Sequence, residues 1–282
     1  MLDPTHDAKR LAEIALAEDG AADVTTDVTA SPGLAATGRL EARSALVLAG
    51  IAYADAIARA VGIPGVRWHG AEATEVAAGT VIGELSGTFA QVLRAERPLL
   101  NVLQRACGIA TATRAYVRAL EGTACQVLHT RKTAPGLRGL DLAAVLSGGG
   151  GLHRADLSHA LMVKDNHWRA LERQGKSLVA ALAEARDRGV TALYVEVETE
   201  AQLREAAAAG ATRLLVDNQT PETLRAWKGI ARAISATIEL EATGGITLAN
   251  ARDHALAGAD YVSIGALTHS VKAADVALEV IA

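Results

Sequence analysis

The chain has 282 residues and a formal net charge of −4; half of its residues are hydrophobic, 21% are charged and only 3% are aromatic, with a single Phe. That length and apolar content exclude wholesale disorder and fit one large α/β domain with a smaller companion. The charge excludes a global basic field for nucleic acid or an anionic membrane, and the scarcity of rings excludes stacking platforms for single strands.

The two cysteines, Cys107 and Cys125, suit buried small hydrophobes in a reducing compartment rather than a disulfide framework or a thiolate zinc site. The N-terminus has no signal-like apolar region, and no apolar run reaches the ~18 residues needed to span a bilayer. A cytoplasmic protein with neither membrane nor nucleic-acid partner is expected. In chain order, residues 8–18 read as an amphipathic helix, with Leu11, Ile14 and Leu16 apolar among charges. Residues 23–29 read as a polar loop full of cap and turn residues. From 38 to 86 the texture is strand-like, interrupted by a helix over 51–61, which predicts a small α+β domain. Residues 89–120 read as one long helical stretch in which Pro98 marks a break or a first-turn position.

After Gly122, short apolar strands alternate with helices. Strands are predicted at 125–129, 161–164, 193–198, 213–217, 238–241 and 261–264. Helices are predicted at 140–146, 178–188, 200–209, 221–234 and 247–257, several stopped by glycines such as Gly189, Gly210 and Gly258. Strand–helix alternation of this length means a parallel sheet. A last helix over about 270–282 closes the chain.

The chemistry lies at the strand ends. They carry Arg131 and Lys132, then Lys164 to His167, Glu198, Asp217, Thr243-Gly244-Gly245, and Gly265-Ala266. Polar or glycine-rich residues at six consecutive strand ends favour a barrel mouth over an open sheet, which binds only near its switch point. Between His129 and Arg169, six cations face three acids in a chain that is acidic overall. Such an island suits an anionic small ligand, or is a solvated basic face. Glu198 and Asp217, on adjacent strands, either hold Mg²⁺, directly or through water, or pair with Lys132 and Lys164. Thr243-Gly244-Gly245 before a helix from near Thr247, together with Gly265-Ala266, reads as a phosphate pocket or as a plain turn. Four glycines at 148–151 allow close backbone approach or a mobile connection, and they lack a P-loop ending. Among the histidines, His153 beside Arg154 is the best placed for chemistry.

The runs HTRKTAPGLR, GGGGLHR and MVKDNH, followed by VEVE, VDN, EATGGI and SIGALTHS, resemble the quinolinate phosphoribosyltransferase family. DVTTDVT, ERPLLN and GIATAT near the N-terminus match as well. The resemblance implies a phosphoribosyltransferase with an N-terminal α/β sandwich domain (1–106, joined by the C-terminal helix at 270–282). The second domain (107–269) would be an incomplete, seven-stranded-type α/β barrel. It implies a homodimer or a dimer-based hexamer that takes quinolinate and phosphoribosyl pyrophosphate, with Mg²⁺, to nicotinate mononucleotide, CO₂ and pyrophosphate. The acid pocket then falls on Arg97, Arg131, Lys132, His153, Arg154 and Lys164, with Arg97 reaching into the partner's site. Lys132, Lys164, Glu198 and Asp217 would be catalytic, with the two carboxylates near the ribose and metal. Thr243, Gly244, Gly245, Gly265 and Ala266 would hold the 5-phosphate.

The chain departs from the family pattern at Leu142-Ala143, where a Lys-Tyr pair is usual, at His159 and at His129. These departures bear on the acid. The alternatives are therefore a paralogous enzyme for another heteroaromatic acid, of the molybdenum-transport-associated type, or a silent binder of a phospho-ligand. Intact Lys164-Asp165-Asn166-His167 favours the quinolinate branch.

Overall fold

The structure, a computed structural model, describes residues 4–281. Its elements are α1 (Pro4–Glu18), α2 (Val24–Thr29), β1 (Ala35–Ala42), β2 (Leu46–Val47), α3 (Ile51–Ala60), β3 (Arg67–Trp68), β4 (Glu75–Val76), β5 (Thr80–Thr88) and α4 (Phe89–Ala119). Then follow β6 (Gln126–Leu128), α5 (Arg138–Ser147), β7 (Leu161–Val163), α6 (Asp165–Gln174), α7 (Leu178–Asp187), β8 (Leu193–Val197), α8 (Glu200–Ala208) and β9 (Arg213–Asp217). The chain ends with α9 (Pro221–Ile234), β10 (Glu239–Thr243), α10 (Ala251–Ala257), β11 (Tyr261–Ser263), α11 (Ala266–His269) and β12 (Val276–Ile281). They form two compact units. The first comprises the chain up to Arg114, Lys132–Gly150 and the segment from Ala266 onward; the second comprises Ala115–Arg131 and Gly151–Gly265. Residues 132–150 therefore belong with the N-terminal part, not with the parallel sheet that flanks them in sequence.

In the first unit, an antiparallel sheet runs in the order β12-β1-β5-β3. Along β1 every second residue is buried, with Leu40 and Ala42 fully so, which is the signature of a one-sided strand. Three expectations change here. The predicted C-terminal helix is a strand: β12 pairs antiparallel with β1 from Ala42↔Val276 to Thr37↔Ile281. Its β-branched Val276, Val280 and Ile281 favour the pleat, and they cover a sheet edge that would otherwise stay open. Gln104 of α4 holds the approach, accepting the Ala274 N–H at 2.9 Å and donating to the Val276 carbonyl at 2.8 Å. The predicted loop at 23–29 is the short helix α2, because Asp23 caps it by accepting the Thr26 N–H at 3.0 Å. Pro98 does not break α4, which runs through it. Ala95, Leu99, Leu103, Ala106 and Cys107 are all completely buried along that helix, and this burial outweighs the one hydrogen bond the proline removes. The glycine run is a close approach rather than a mobile connection: a Cβ on Gly148 would meet the Thr113 side chain at 2.5 Å, and one on Gly150 would meet it at 2.9 Å.

In the second unit, six strands pair parallel in the order β6-β11-β10-β9-β8-β7. All six were anticipated within a few residues. Gly151 adds a one-residue parallel bridge to Leu128, on the free side of β6. The sheet is strongly curled. His153 follows that bridge, yet its ring meets Tyr194 of β8 edge-on, with centroids 5.4 Å apart. Arg213 of β9 lies over both Tyr194 and Tyr261 of β11, at 4.7 and 3.8 Å. In a flat sheet the Gly151 segment and β8 would lie five ~4.8 Å spacings apart, so it is the His153–Tyr194 contact that requires the curl. Helix α6 was not anticipated. None of its residues is fully buried, and its apolar face is reduced to the half-buried Trp168 and Leu171 among polar residues.

Candidate active site

Parallel pairing brings the C-terminal ends of the six strands to one edge of the second unit. Lys164 follows β7 and comes level with Glu196 of β8, because Val163 pairs with Val195. The two form an ion pair at the start of α6. The KDNH run explains how Lys164 is held. His167 Nδ1 accepts the Lys164 N–H at 3.1 Å, and the Trp168 indole donates to the Glu196 carbonyl at 3.0 Å. Glu196 was not singled out from the sequence. Its signal is the cross-strand level with Lys164, which depends on a register that sequence does not print.

Val197 pairs with Val216, so Glu198 and Asp217 come level at the ends of β8 and β9. Neither carboxylate makes an ion pair among the described residues, so the anticipated alternative of pairing with Lys132 and Lys164 is not what the structure shows. Glu198 also lines a groove of about 410 Å³ between α6 and α8, with Asp165 and Glu205. No group of three or more His, Cys, Asp or Glu side chains among the described residues is arranged to hold a metal. Two unpaired hard carboxylates still fit Mg²⁺, which binds through one or two carboxylates and keeps waters or phosphate oxygens.

The glycine loop after β10 sits beside Asp217. Thr243 is level with Asp217, and its carbonyl accepts the Asn218 N–H at 2.9 Å. Gly244 and Gly245 have φ of 75° and 61°, and a Cβ on Gly244 would lie 2.4 Å from Asn218 Oδ1. Only glycine fits there. The helix that follows starts at Ala251, not near Thr247, so these N–H groups belong to a loop rather than to a helix N-terminus. Asn250 braces the loop, accepting the Thr247 N–H at 2.8 Å and donating to the Gly245 carbonyl at 3.0 Å. Gly265 closes the row after β11.

Arg131 and Arg154 form the basic part of this unit. Burial first, and then the charge of Arg131, lower the pKa of Arg154. No carboxylate neutralises either guanidinium among the described residues, and the Arg131 Nε is buried without a hydrogen-bond partner. Each guanidinium therefore carries its charge without a carboxylate counter-ion among the described residues. His153 differs from its expected place. It is buried, and its ring turns inward: Nε2 lies 3.1 Å from Glu241 Oε2, and Nδ1 accepts the Arg154 N–H at 2.6 Å.

In the first unit, Arg97 is exposed on α4 without a partner among the described residues, Lys132 is exposed, and Ala266 opens α11. Thr268 donates from its hydroxyl to the Lys132 carbonyl at 2.9 Å. Of the departures, Leu142 is packed in the first unit's core, His159 is exposed, and His129 is fully buried in the second unit.

Burial lowers the pKa of His129 and of His254 below 6.5. Each is kept neutral in the fold while the unfolded chain takes a proton near 6.5. Stability from these groups is therefore present above pH 6.5 and is lost as pH falls below it, toward their folded pKa values. The thermal midpoint should drop between pH 7 and pH 5, and His129→Gln should flatten that slope. An unchanged slope in the variant would exclude His129 as its source.

The N-terminal domain model of the quinolinate phosphoribosyl transferases matches residues 23–107, and the C-terminal domain model matches residues 109–279. A probable nicotinate-nucleotide pyrophosphorylase [carboxylating] of Bacillus subtilis is 45% identical over 204 residues, covering 72% of this chain and 68% of that protein. The chloroplastic nicotinate-nucleotide pyrophosphorylase [carboxylating] of Arabidopsis thaliana is 36% identical, over 98% of this chain and 84% of that one. Among solved structures, the nicotinate-nucleotide pyrophosphorylase of Francisella tularensis superposes with a TM-score of 0.90 at 31% identity, covering 99% of this chain and 98% of that one.

Proposed function

The chain belongs to the quinolinate phosphoribosyltransferase family, and from that premise we propose how its own residues carry the reaction. The enzyme converts quinolinate and phosphoribosyl pyrophosphate to nicotinate mononucleotide, CO₂ and pyrophosphate, a step of NAD biosynthesis. The observation that carries the reading is the uncompensated pair Arg131 and Arg154 on the same unit as the Gly244-Gly245 loop. A planar acid with two adjacent carboxylates needs fixed cations, and guanidinium forks grip carboxylates bidentately. Lys132 and Lys164 add charge. Arg97, exposed and without a partner among the described residues, supplies a cation to the second copy of a homodimer.

The pyridine nitrogen attacks C1 of the ribose while the bond from C1 to the pyrophosphate oxygen breaks. Asp217 and the Lys164–Glu196 pair flank the positive charge that develops on the ribose, and fixed charges there lower the barrier. The glycine loop at 243–245, with Gly265 and Ala266, holds the 5-phosphate on backbone N–H groups. Asp217 and Glu198 would hold Mg²⁺, which supplies neutralisation of the leaving pyrophosphate. Once the ring nitrogen is positive, the C2–carboxylate bond breaks, CO₂ leaves, and C2 takes a proton. The curled sheet we read as the incomplete barrel of the family, with the Gly151 bridge in the place of a seventh strand. No helix among the described residues is long and apolar enough to cross a membrane.

The test is product analysis by mass spectrometry on purified protein given Mg²⁺, phosphoribosyl pyrophosphate and quinolinate. Nicotinate, a panel of other pyridine and pyrimidine carboxylates, and a no-acid control run beside it. Quinolinate-dependent nicotinate mononucleotide with stoichiometric CO₂ is expected. Product from another acid of the panel and none from quinolinate would overturn the acid assignment. Donor binding without any product would make the chain a silent binder.

A further inference from the structure

The inward turn of His153 has a consequence for the two arginines. Its Nδ1 accepts the Arg154 N–H, so that nitrogen carries no proton, and Nε2 must be the donor to Glu241. Both ring nitrogens are used, and the ring serves as a spacer rather than as a cation toward ligand. The His153 N–H in turn donates to His129 Nε2 at 3.0 Å. His129 then donates from Nδ1 to the carbonyl of Thr130 at 3.0 Å, the residue before Arg131. Glu241 is buried, and its Oε2 also accepts from Arg213 Nη1 at 3.2 Å. Arg213 is itself fixed by Glu239 at 2.9 Å and by the faces of Tyr194 and Tyr261. A buried chain of bonds therefore starts at Glu241 and ends on the backbone beside both arginines.

We propose that Glu241 is a positioning residue for acid recognition: it holds His153 as the Nε2–H tautomer, and through His153 and His129 it sets the spacing of Arg131 and Arg154. The inference rests on the quinolinate reading for its substrate and on geometry alone for the tautomers. A hydrogen-bonded partner that fixes an imidazole's tautomer and orientation is the device by which supporting residues tune sites of this kind.

The test is Glu241→Gln in the full-length enzyme, with Tyr261→Phe as a control that removes a neighbouring bond, Tyr261 to Glu239 at 2.8 Å, but leaves the His153 chain intact. Glu241→Gln should raise KM for quinolinate about tenfold, consistent with one perturbed charge-assisted contact, while kcat and KM for phosphoribosyl pyrophosphate stay within about twofold. Tyr261→Phe should change neither KM. Selective ¹⁵N-histidine NMR of the wild type should show His153 protonated on Nε2 and His129 on Nδ1, with the His153 signature altered in Glu241→Gln. Equal rises in both KM values, an unchanged quinolinate KM in a folded variant, or His153 found as imidazolium in the wild type would each overturn the proposal. If the wild type makes no product from quinolinate, the quinolinate reading fails, and the tautomer spectra still decide whether the chain from Glu241 exists. Should Glu241→Gln not fold, Arg213→Lys, which keeps the charge beside Glu241 but loses the fork, should give the same split in weaker form; equal losses there would overturn the proposal too.

Discussion

Arg131→Ala is expected to lower kcat/KM for quinolinate by about a hundredfold, and Arg154→Ala by a similar factor. A guanidinium that grips one carboxylate makes two charge-assisted hydrogen bonds, each worth roughly 1.5–3 kcal/mol, and the low end of that range for two bonds already gives the factor. KM for phosphoribosyl pyrophosphate should move by less than about threefold, because the glycine loop and the two middle carboxylates remain. Equal losses for both substrates would sink the assignment of these arginines to the acid. Stability should move the other way. Burial first, and then the charge of Arg131, lower the pKa of Arg154, so like-charge repulsion is one part of the cost, and no carboxylate among the described residues offsets either guanidinium. Removing one relieves that repulsion, so the variants should be at least as stable as the wild type. A residue that costs stability and supports activity is held for its chemistry.

The parallel sheet was legible because its strands are short apolar runs that alternate with helices, several of them stopped by glycines. The strand-end residues were legible for the same reason. What sequence withheld is what depends on register and on distance along the chain. Glu196 and Glu198 stand two apart in one run, and only the level of Val163 with Val195 shows which of them meets Lys164. His153 looked like a cation beside Arg154, yet its ring is claimed by Glu241, 88 residues away. The C-terminal segment reads as a helix, yet it pairs as a strand with the open edge of β1. Helix α6 hides because its apolar face is no more than the half-buried Trp168 and Leu171 on an otherwise polar helix. The assignment of roles within the site came from motif resemblance; the curl of the sheet, seen in His153 against Tyr194, is the part that only structure supplies.

The largest effect on stability is expected at Asp141. Its carboxylate is fully buried and accepts both prongs of Arg105, at 2.7 and 2.8 Å. Arg105 also donates to the Thr268 carbonyl at 3.0 Å, and the Thr268 hydroxyl reaches the Lys132 carbonyl at 2.9 Å. One buried pair thus ties α4, α5 and α11 to the backbone of Lys132. Asp141→Ala would strand a guanidinium that is only 22% exposed, at a cost of about 3 kcal/mol. For a chain of this size that is a drop of roughly 6–12 °C in the thermal midpoint. Burial raises the pKa of Asp141 despite the opposing Arg105, so the pair does not fully offset its own desolvation. The double variant Arg105→Met/Asp141→Leu, which removes both charges and keeps the volume, should therefore recover most of the lost stability. It cannot recover the bond to Thr268. If the pair serves to place Lys132, the double variant melts near the wild type and still binds quinolinate poorly. If it serves stability alone, activity returns with the melting temperature.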